Sequence, residues 1–258
     1  MDYNYHTHTY LCRHAFGDIE EYIKRAVDNG IKYMGFSEHA PLRFPDGYES
    51  DARLYVADIE KYFNTINELR EKYSDKIDII VGFEMEYYTD LFDEMLEKVK
   101  GYGAEYLILG QHYFIPENIK SSIHTSVPDD GEERLSGYVD SLIEAMDRGV
   151  YTYIAHPDVF RFTGSDELYE THMRRLCKAS TEKNVPLEIN FYGIRDKRNY
   201  PDLRFWKMVG EEKSPVTFGF DAHTVESAFD GQSLGRALEL CDKFNLNYIV
   251  KPSIIRLK

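Results

Sequence analysis

Residues 18–39 read DIEEYIKRAVDNGIKYMGFSEH, and the fold is decided by how this stretch is read. Asp18 stands where a helix N-cap belongs, an amphipathic run follows, and Gly30 sits at the C′ position that ends helices. A short apolar run, Tyr33 to Ser37, then reads as a strand that ends on two ligand-type side chains, Glu38 and His39. The same unit recurs along the chain. Strands are expected at Asp2 to His6, Tyr33 to Ser37, Ile77 to Glu84, Ala104 to Gly110, Tyr151 to Ala155, Pro186 to Asn190 and Val216 to Phe220. Helices are expected near 18–29, 54–73, 89–100, 134–148, 166–183, 201–212 and 232–244, with Gly149 as a second C′ glycine and Ser165 or Asp166 as a second N-cap. About seven β-α units in alternation imply a parallel sheet, wound open or closed as a barrel.

The 258 residues show no composition break, no fixed-period repeat and no low-complexity tract, so one α/β domain over 1–258 is expected. Two βα connections, Ala40 to Arg53 and Phe114 to Glu133, exceed the usual ~2 to 6 residues and are the natural places for function. The 31 Lys and Arg against 45 Asp and Glu leave a formal net charge of -14, which disfavours nucleic acid and anionic membranes as partners. The three cysteines are far apart and form no Cys-x-x-Cys pair. Met1 is followed by no basic and apolar leader, and no later run approaches a membrane span, so a cytoplasmic location is expected.

The histidines carry the chemistry. His6 and His8 end strand one, Glu38 and His39 strand two, Glu84 and Glu86 strand three, His112 follows strand four, His156 ends strand five, and Asp221 and His223 end strand seven. Six of the nine histidines therefore lie at the C-terminal edge of a strand, and His14 lies in the loop after the first. All such edges open on one face of a parallel sheet, so these side chains converge on one pocket. His6-x-His8 and Asp221-x-His223 each aim two donors to the same side of a strand. Nine donors (His6, His8, His14, His39, Glu84, His112, His156, Asp221 and His223) exceed the ~3 to 4 protein ligands of one catalytic zinc, so two or three divalent ions are implied. Zn, Mn and Fe all suit imidazole with carboxylate. Such a pocket is cationic despite the acidic chain and fits an anionic substrate; two neighbouring ions are the known route to phosphate ester cleavage.

Arg161, Arg195 and Arg198 lie in βα loops on the same face and are the candidate phosphate ligands, because a guanidinium fork matches phosphoryl oxygens. His124 and His172 are read as solvated, and Cys12 as a packing residue. No P-loop and no Gly-x-Ser-x-Gly elbow is present, which disfavours nucleotide hydrolysis by that route and a serine hydrolase.

His6-Thr7-His8, Cys12-Arg13-His14, Ser37-Glu38-His39, Gly82-Phe83-Glu84, Gly110-Gln111-His112, Ala155-His156-Pro157 and Phe220-Asp221-Ala222-His223 resemble, in order, the motifs of the polymerase and histidinol phosphatase (PHP) superfamily, from residue 2 to about 225. Asn190 to Arg195 with Tyr200-Pro201 and Arg161 is similar to the phosphate-binding segment of its histidinol-phosphate phosphatase branch. The resemblance implies a distorted (β/α)7 barrel with a trinuclear centre. The first ion would take His6, His8, Glu84 and Asp221, the second Glu84 with His112 and His156, and the third His14, His39 and His223. It also implies hydrolysis of L-histidinol phosphate in histidine biosynthesis, with Asp221, Glu84, Arg161 and Arg195 as catalytic residues. The rival readings are a phosphoesterase of the same family acting on another small ester or nucleotide, an amidohydrolase, for which no strand-end Lys is found, and a non-catalytic metal-binding module.

Overall fold

The computed structural model describes residues 1–258. Eight strands form one all-parallel sheet in sequence order: β1 (Tyr3–Asn4), β2 (Tyr33–His39), β3 (Asp78–Glu84), β4 (Tyr106–Leu109), β5 (Tyr151–Ile154), β6 (Leu187–Asn190), β7 (Pro215–Gly219) and β8 (Asn247–Tyr248). Helices α1 (Ile19–Asp28), α2 (Ile59–Lys72), α3 (Phe92–Gly101), α4 (Glu132–Asp147) and α5 (Asp166–Lys183) connect the strands up to β6. A short α6 (Phe191–Arg195) and α7 (Leu203–Glu212) follow β6, and α8 (Gly231–Phe244) follows β7. The expected helix-strand unit at 18–39 is present, with Asp18 and Glu21 forming a reciprocal capping box.

The sheet curls until its ends meet. Beyond β1 and β7 the chain makes a parallel bridge between Thr7 and Ala222, with His8 N donating to Ala222 O (3.0 Å) and Ala222 N to His6 O (3.2 Å). This closure is the event that sets His6 and His8 beside Asp221 and His223. The expected distorted seven-stranded barrel is therefore observed, with β8 added beside the start of β7. A two-residue strand and a five-residue helix fall below what periodicity can detect, and both β8 and α6 went unread for that reason.

Two apolar layers hold the barrel. The larger lies between strands and helices, and the smaller fills the interior with Tyr3, Tyr5, Ile80, Tyr106, Ile108, Tyr153 and Ala155. Among the interior tyrosine hydroxyls, that of Tyr3 pairs with Thr217 (2.8 Å) and that of Tyr106 donates to Tyr5 O (2.9 Å), while that of Tyr153 has no partner. This aromatic floor leaves only the C-terminal mouth for chemistry. No helix is long and apolar enough to cross a membrane.

Candidate metal centre

Each of the nine expected ligands arrives at that mouth, and eight of them are brought into mutual contact by strand ends alone. Glu84, at the last position of β3, is the hub. Its Oε2 lies 3.5 Å from His6 Nε2, 3.4 Å from His8 Nε2 and 3.1 Å from His39 Nδ1; its Oε1 lies 2.8 Å from His156 Nε2 and 3.6 Å from His112 Nε2. Asp221 Oδ1 lies 3.6 Å from His6 Nε2, 3.4 Å from His8 Nε2 and 3.1 Å from His223 Nδ1. The His14 ring completes the set, 4.8 Å from His223 and 5.2 Å from His39 between ring centres. Around one zinc with ligands at about 2.1 Å, neighbouring tetrahedral donors stand about 3.4 Å apart, which is the spacing of His6, His8, Glu84 and Asp221.

Six buried atoms here have no hydrogen-bond partner: His6 Nε2, His8 Nε2, Glu84 Oε2, His156 Nδ1, Asp221 Oδ1 and His223 Nε2. Leaving a buried polar atom unpaired costs about 1–3 kcal/mol, so six together would consume a stability of the usual ~5–15 kcal/mol. Donor set, spacing and orphaned atoms all fit metal ions.

Four imidazole nitrogens turned away from the centre are engaged. His6 Nδ1 pairs with Glu188 Oε1 (2.8 Å), His8 Nδ1 with Glu38 Oε1 (3.2 Å), His112 Nδ1 with Glu86 Oε1 (3.0 Å) and His14 Nδ1 with Cys12 O (2.9 Å). A carboxylate or carbonyl on the far nitrogen fixes ring orientation and raises ligand basicity. Glu188 was not foreseen, although an acid inside the short strand β6, two positions before Asn190, was the signal. Two glycines make room for these acids. A Cβ on Gly110 would stand 1.8 Å from Glu84 Oε1, and one on Gly219 1.6 Å from Glu188 Oε1.

Charge follows the same design. Burial opposes ionisation of Glu84 and Asp221, yet the surrounding histidines hold both well below the usual carboxylate range. Burial likewise opposes charging of His6 and His8, but Glu188, Asp221 and Glu38 outweigh it, raising His6 well above its ordinary value and His8 to about 9. Burial and the neighbouring imidazoles His223 and His8 push His14 down to about 4, and burial with His8 lowers His39. His156 and Asp221 both have positive φ (31° and 46°), rare for residues other than glycine and typical of functional turns.

A cavity of about 220 Å³ opens over the centre, bounded by Glu84, His112, His156, Asp221 and His223 on one side and by loop residues on the other. A larger cavity of about 520 Å³ between residues 41–47 and α3 holds none of the ligands and lies away from this chemistry.

The expected arginines divide. Arg198 lines the cavity, its guanidinium 4.2 Å above the Tyr192 ring and bonded to the Tyr192 hydroxyl (2.8 Å). Arg195 does not line it; it donates to Asp230 Oδ2 (3.1 Å) and Asp221 O (3.2 Å), bracing the strained Asp221 turn from behind. Arg161 is exposed, and only its backbone is engaged, bridging toward Thr125 and Asp129. It does not bound the cavity, although Val159, two residues before it, and His124 and Ser126, on either side of its backbone partner Thr125, do.

His124 is not solvated as expected: it lines the cavity, and its Nδ1 accepts from Ser126 N (3.1 Å). His172 is buried against α4, with Nε2 on Glu132 (3.1 Å), far from the ligands as expected but not in solvent. Cys12 is buried and burial pushes its thiol up, and its sulfur stands with ligand atoms of His14 and His223 within 4.8 Å of one another. Arg53 was unread: it is buried, with its NH1 and NH2 groups on Glu86 Oε2 and Oε1 (2.6 Å each) and its Nε on Glu117. It stitches the two long loops together, as does Asn118 on Asp46 (3.1 Å).

A barrel whose mouth gathers seven imidazoles and two carboxylates defines a metal-dependent hydrolase scaffold. The PHP domain profile matches residues 4–191, and the chain belongs to that family. It is 26% identical to the histidinol-phosphatase of Bacillus subtilis over 92% of this chain and 98% of that one. It is 27% identical to a probable histidinol-phosphatase of Deinococcus radiodurans, over 84% and 85% of the two chains. The crystal structure of histidinol phosphate phosphatase from Lactococcus lactis, complexed with zinc, L-histidinol and phosphate, shares the fold with a TM-score of 0.73, 21% identity and coverage of 100% and 99%.

Proposed function

We propose that the chain is a metal-dependent phosphomonoesterase that hydrolyses L-histidinol phosphate to L-histidinol and phosphate. The observation that carries this reading is the convergence of nine donors with six unpaired buried atoms beneath one small cavity. The names of its curated relatives supply the substrate. About 220 Å³ suits a small ester.

His6, His8, Glu84 and Asp221 would hold one ion, Glu84 with His112 and His156 a second, and His14, His39 and His223 a third. When bound, such ions supply Lewis-acid charge to the phosphoryl oxygens. The chain's own groups do the rest. Arg198, held over Tyr192, places a guanidinium on the rim to receive the phosphate. Asn190 Nδ2 holds Asp221 Oδ2 (3.0 Å), which aims Oδ1 at the ion site shared with His6, His8 and Glu84; from there the carboxylate would also relay a proton between attacking water and leaving alkoxide. Arg195 keeps that carboxylate aimed by binding the carbonyl of its own residue. A phosphate-release assay with L-histidinol phosphate on metal-loaded protein, against chelated protein, tests the reading; equal rates would reject it.

A further inference from the structure

Of the five histidines around Glu84, His112 has the most exposed side chain (17%) and lies three residues beyond the end of β4, at the head of a long loop. Its ring is aimed by Glu86, whose Oε1 meets His112 Nδ1 at 3.0 Å. Glu86 is aimed in turn by Arg53: Nη1 donates to Oε2 and Nη2 to Oε1, both at 2.6 Å. A bidentate fork fixes the plane of a carboxylate, so the oxygen that faces His112 is held in place. Arg53 ends the long loop after β2 and is the one buried charged side chain of that loop, at 4% exposure. Without it Glu86, itself 1% exposed, would be a buried charge that has lost its cation and is free to rotate.

We infer that Arg53 is a positioning residue for the second ion: through Glu86 it sets the His112 ring, so that ion affinity at this site and order in the loop Ala40 to Arg53 are coupled. Arg53 bonds to none of the nine ligands itself and acts only through the carboxylate between. The inference rests on the assignment of His112 to the second ion in the proposed reading. The coupling runs both ways, because whatever factor the ordered loop adds to ion affinity, the bound ion must return to the order of the loop. A loop with little regular structure is thereby fastened at its far end by the centre it covers.

The test titrates wild type, Arg53→Met, Arg53→Lys and His112→Ala with Mn²⁺ against a chelating dye, and follows amide hydrogen exchange across residues 40–53 in the loaded and chelated proteins. Arg53→Met should lose about 10- to 100-fold in affinity for one ion and keep the others within about three-fold, with Arg53→Lys falling between it and wild type. Chelation should speed exchange in the wild-type loop by about ten-fold or more, and His112→Ala should speed it as much with its remaining ions bound. A brace with a structural role alone would lower Tm and leave the ion affinities where they were. Unchanged affinity for every ion in Arg53→Met overturns the inference; should that variant fail to fold, unchanged affinity in Arg53→Lys together with a wild-type loop whose exchange ignores metal overturns it as well. If His112→Ala itself keeps every ion at full affinity, the ion assignment falls and this inference falls with it.

Discussion

Replacing Gly110 by Ala is the most economical way to disturb the centre without touching a ligand. The added Cβ would lie 1.8 Å from Glu84 Oε1, 2.4 Å from its Cδ and 2.6 Å from its Cγ. Ordinary contact needs about 3.4 Å, so the carboxylate must retreat by roughly 1.6 Å or the β4 turn must open. Retreat is blocked on the other side, because Glu84 is 1% exposed and ringed by five imidazoles. A displacement near 1 Å can cost about a hundred-fold in rate, and overpacking costs about 1–3 kcal/mol of stability. Gly110→Ala should therefore lose at least one ion per chain and about a hundred-fold or more in kcat/KM, while far-ultraviolet circular dichroism stays native. Gly101→Ala, at the end of α3 with nothing within 4 Å of its Cβ, is the control and should be silent. Full activity and full metal content in Gly110→Ala would refute the placing of Glu84 at the hub.

Four further outcomes are expected. In metal-free protein His6 and His8 are protonated at neutral pH, because their values lie above ordinary imidazole and His8 sits at about 9. Ligands must be neutral, so metal uptake should release protons and apparent affinity should climb up to about ten-fold per pH unit per proton as pH rises toward 9; metal titrations at pH 7 without proton release would contradict this. Glu188→Gln, which weakens the partner of His6, should lower metal affinity about 10- to 100-fold by competition with a chelating dye. Arg198→Met should cost about ten- to a hundred-fold in kcat/KM on every phosphate ester tested, whereas Arg161→Met should stay within about three-fold; the reverse order would show that the rim has been misassigned. His172→Ala should leave metal content and kcat/KM unchanged and lower only Tm, since the ring packs between α4 and α5.

What the sequence made legible follows from periodicity and strand direction. Ligands that end strands β2, β3, β5 and β7 were readable because a parallel sheet aims every C-terminal edge one way. His6 and His8 were readable although the ladder of β1 covers only Tyr3 and Asn4, because the Thr7–Ala222 bridge keeps that segment extended. Arg161, Arg195 and Arg198 share a face with the centre, but whether a loop arginine turns inward depends on its partners. Asp230 and two backbone carbonyls claim Arg195, and Tyr192 claims Arg198. Arg53 and Glu117 are 64 positions apart in two irregular loops, so no spacing rule could pair them. His124 is drawn in by a two-residue turn onto Ser126, a local contact that hydropathy does not encode.

The central claim is that this centre hydrolyses L-histidinol phosphate. The direct measurement is kcat/KM for that ester against a panel of small phosphomonoesters, on one preparation whose metal content is determined at the same time. The account predicts two to three divalent ions per chain, loss of turnover with chelator, and at least about a ten-fold preference for L-histidinol phosphate. Turnover with one ion or fewer per chain, or a panel in which L-histidinol phosphate is not preferred, would contradict it.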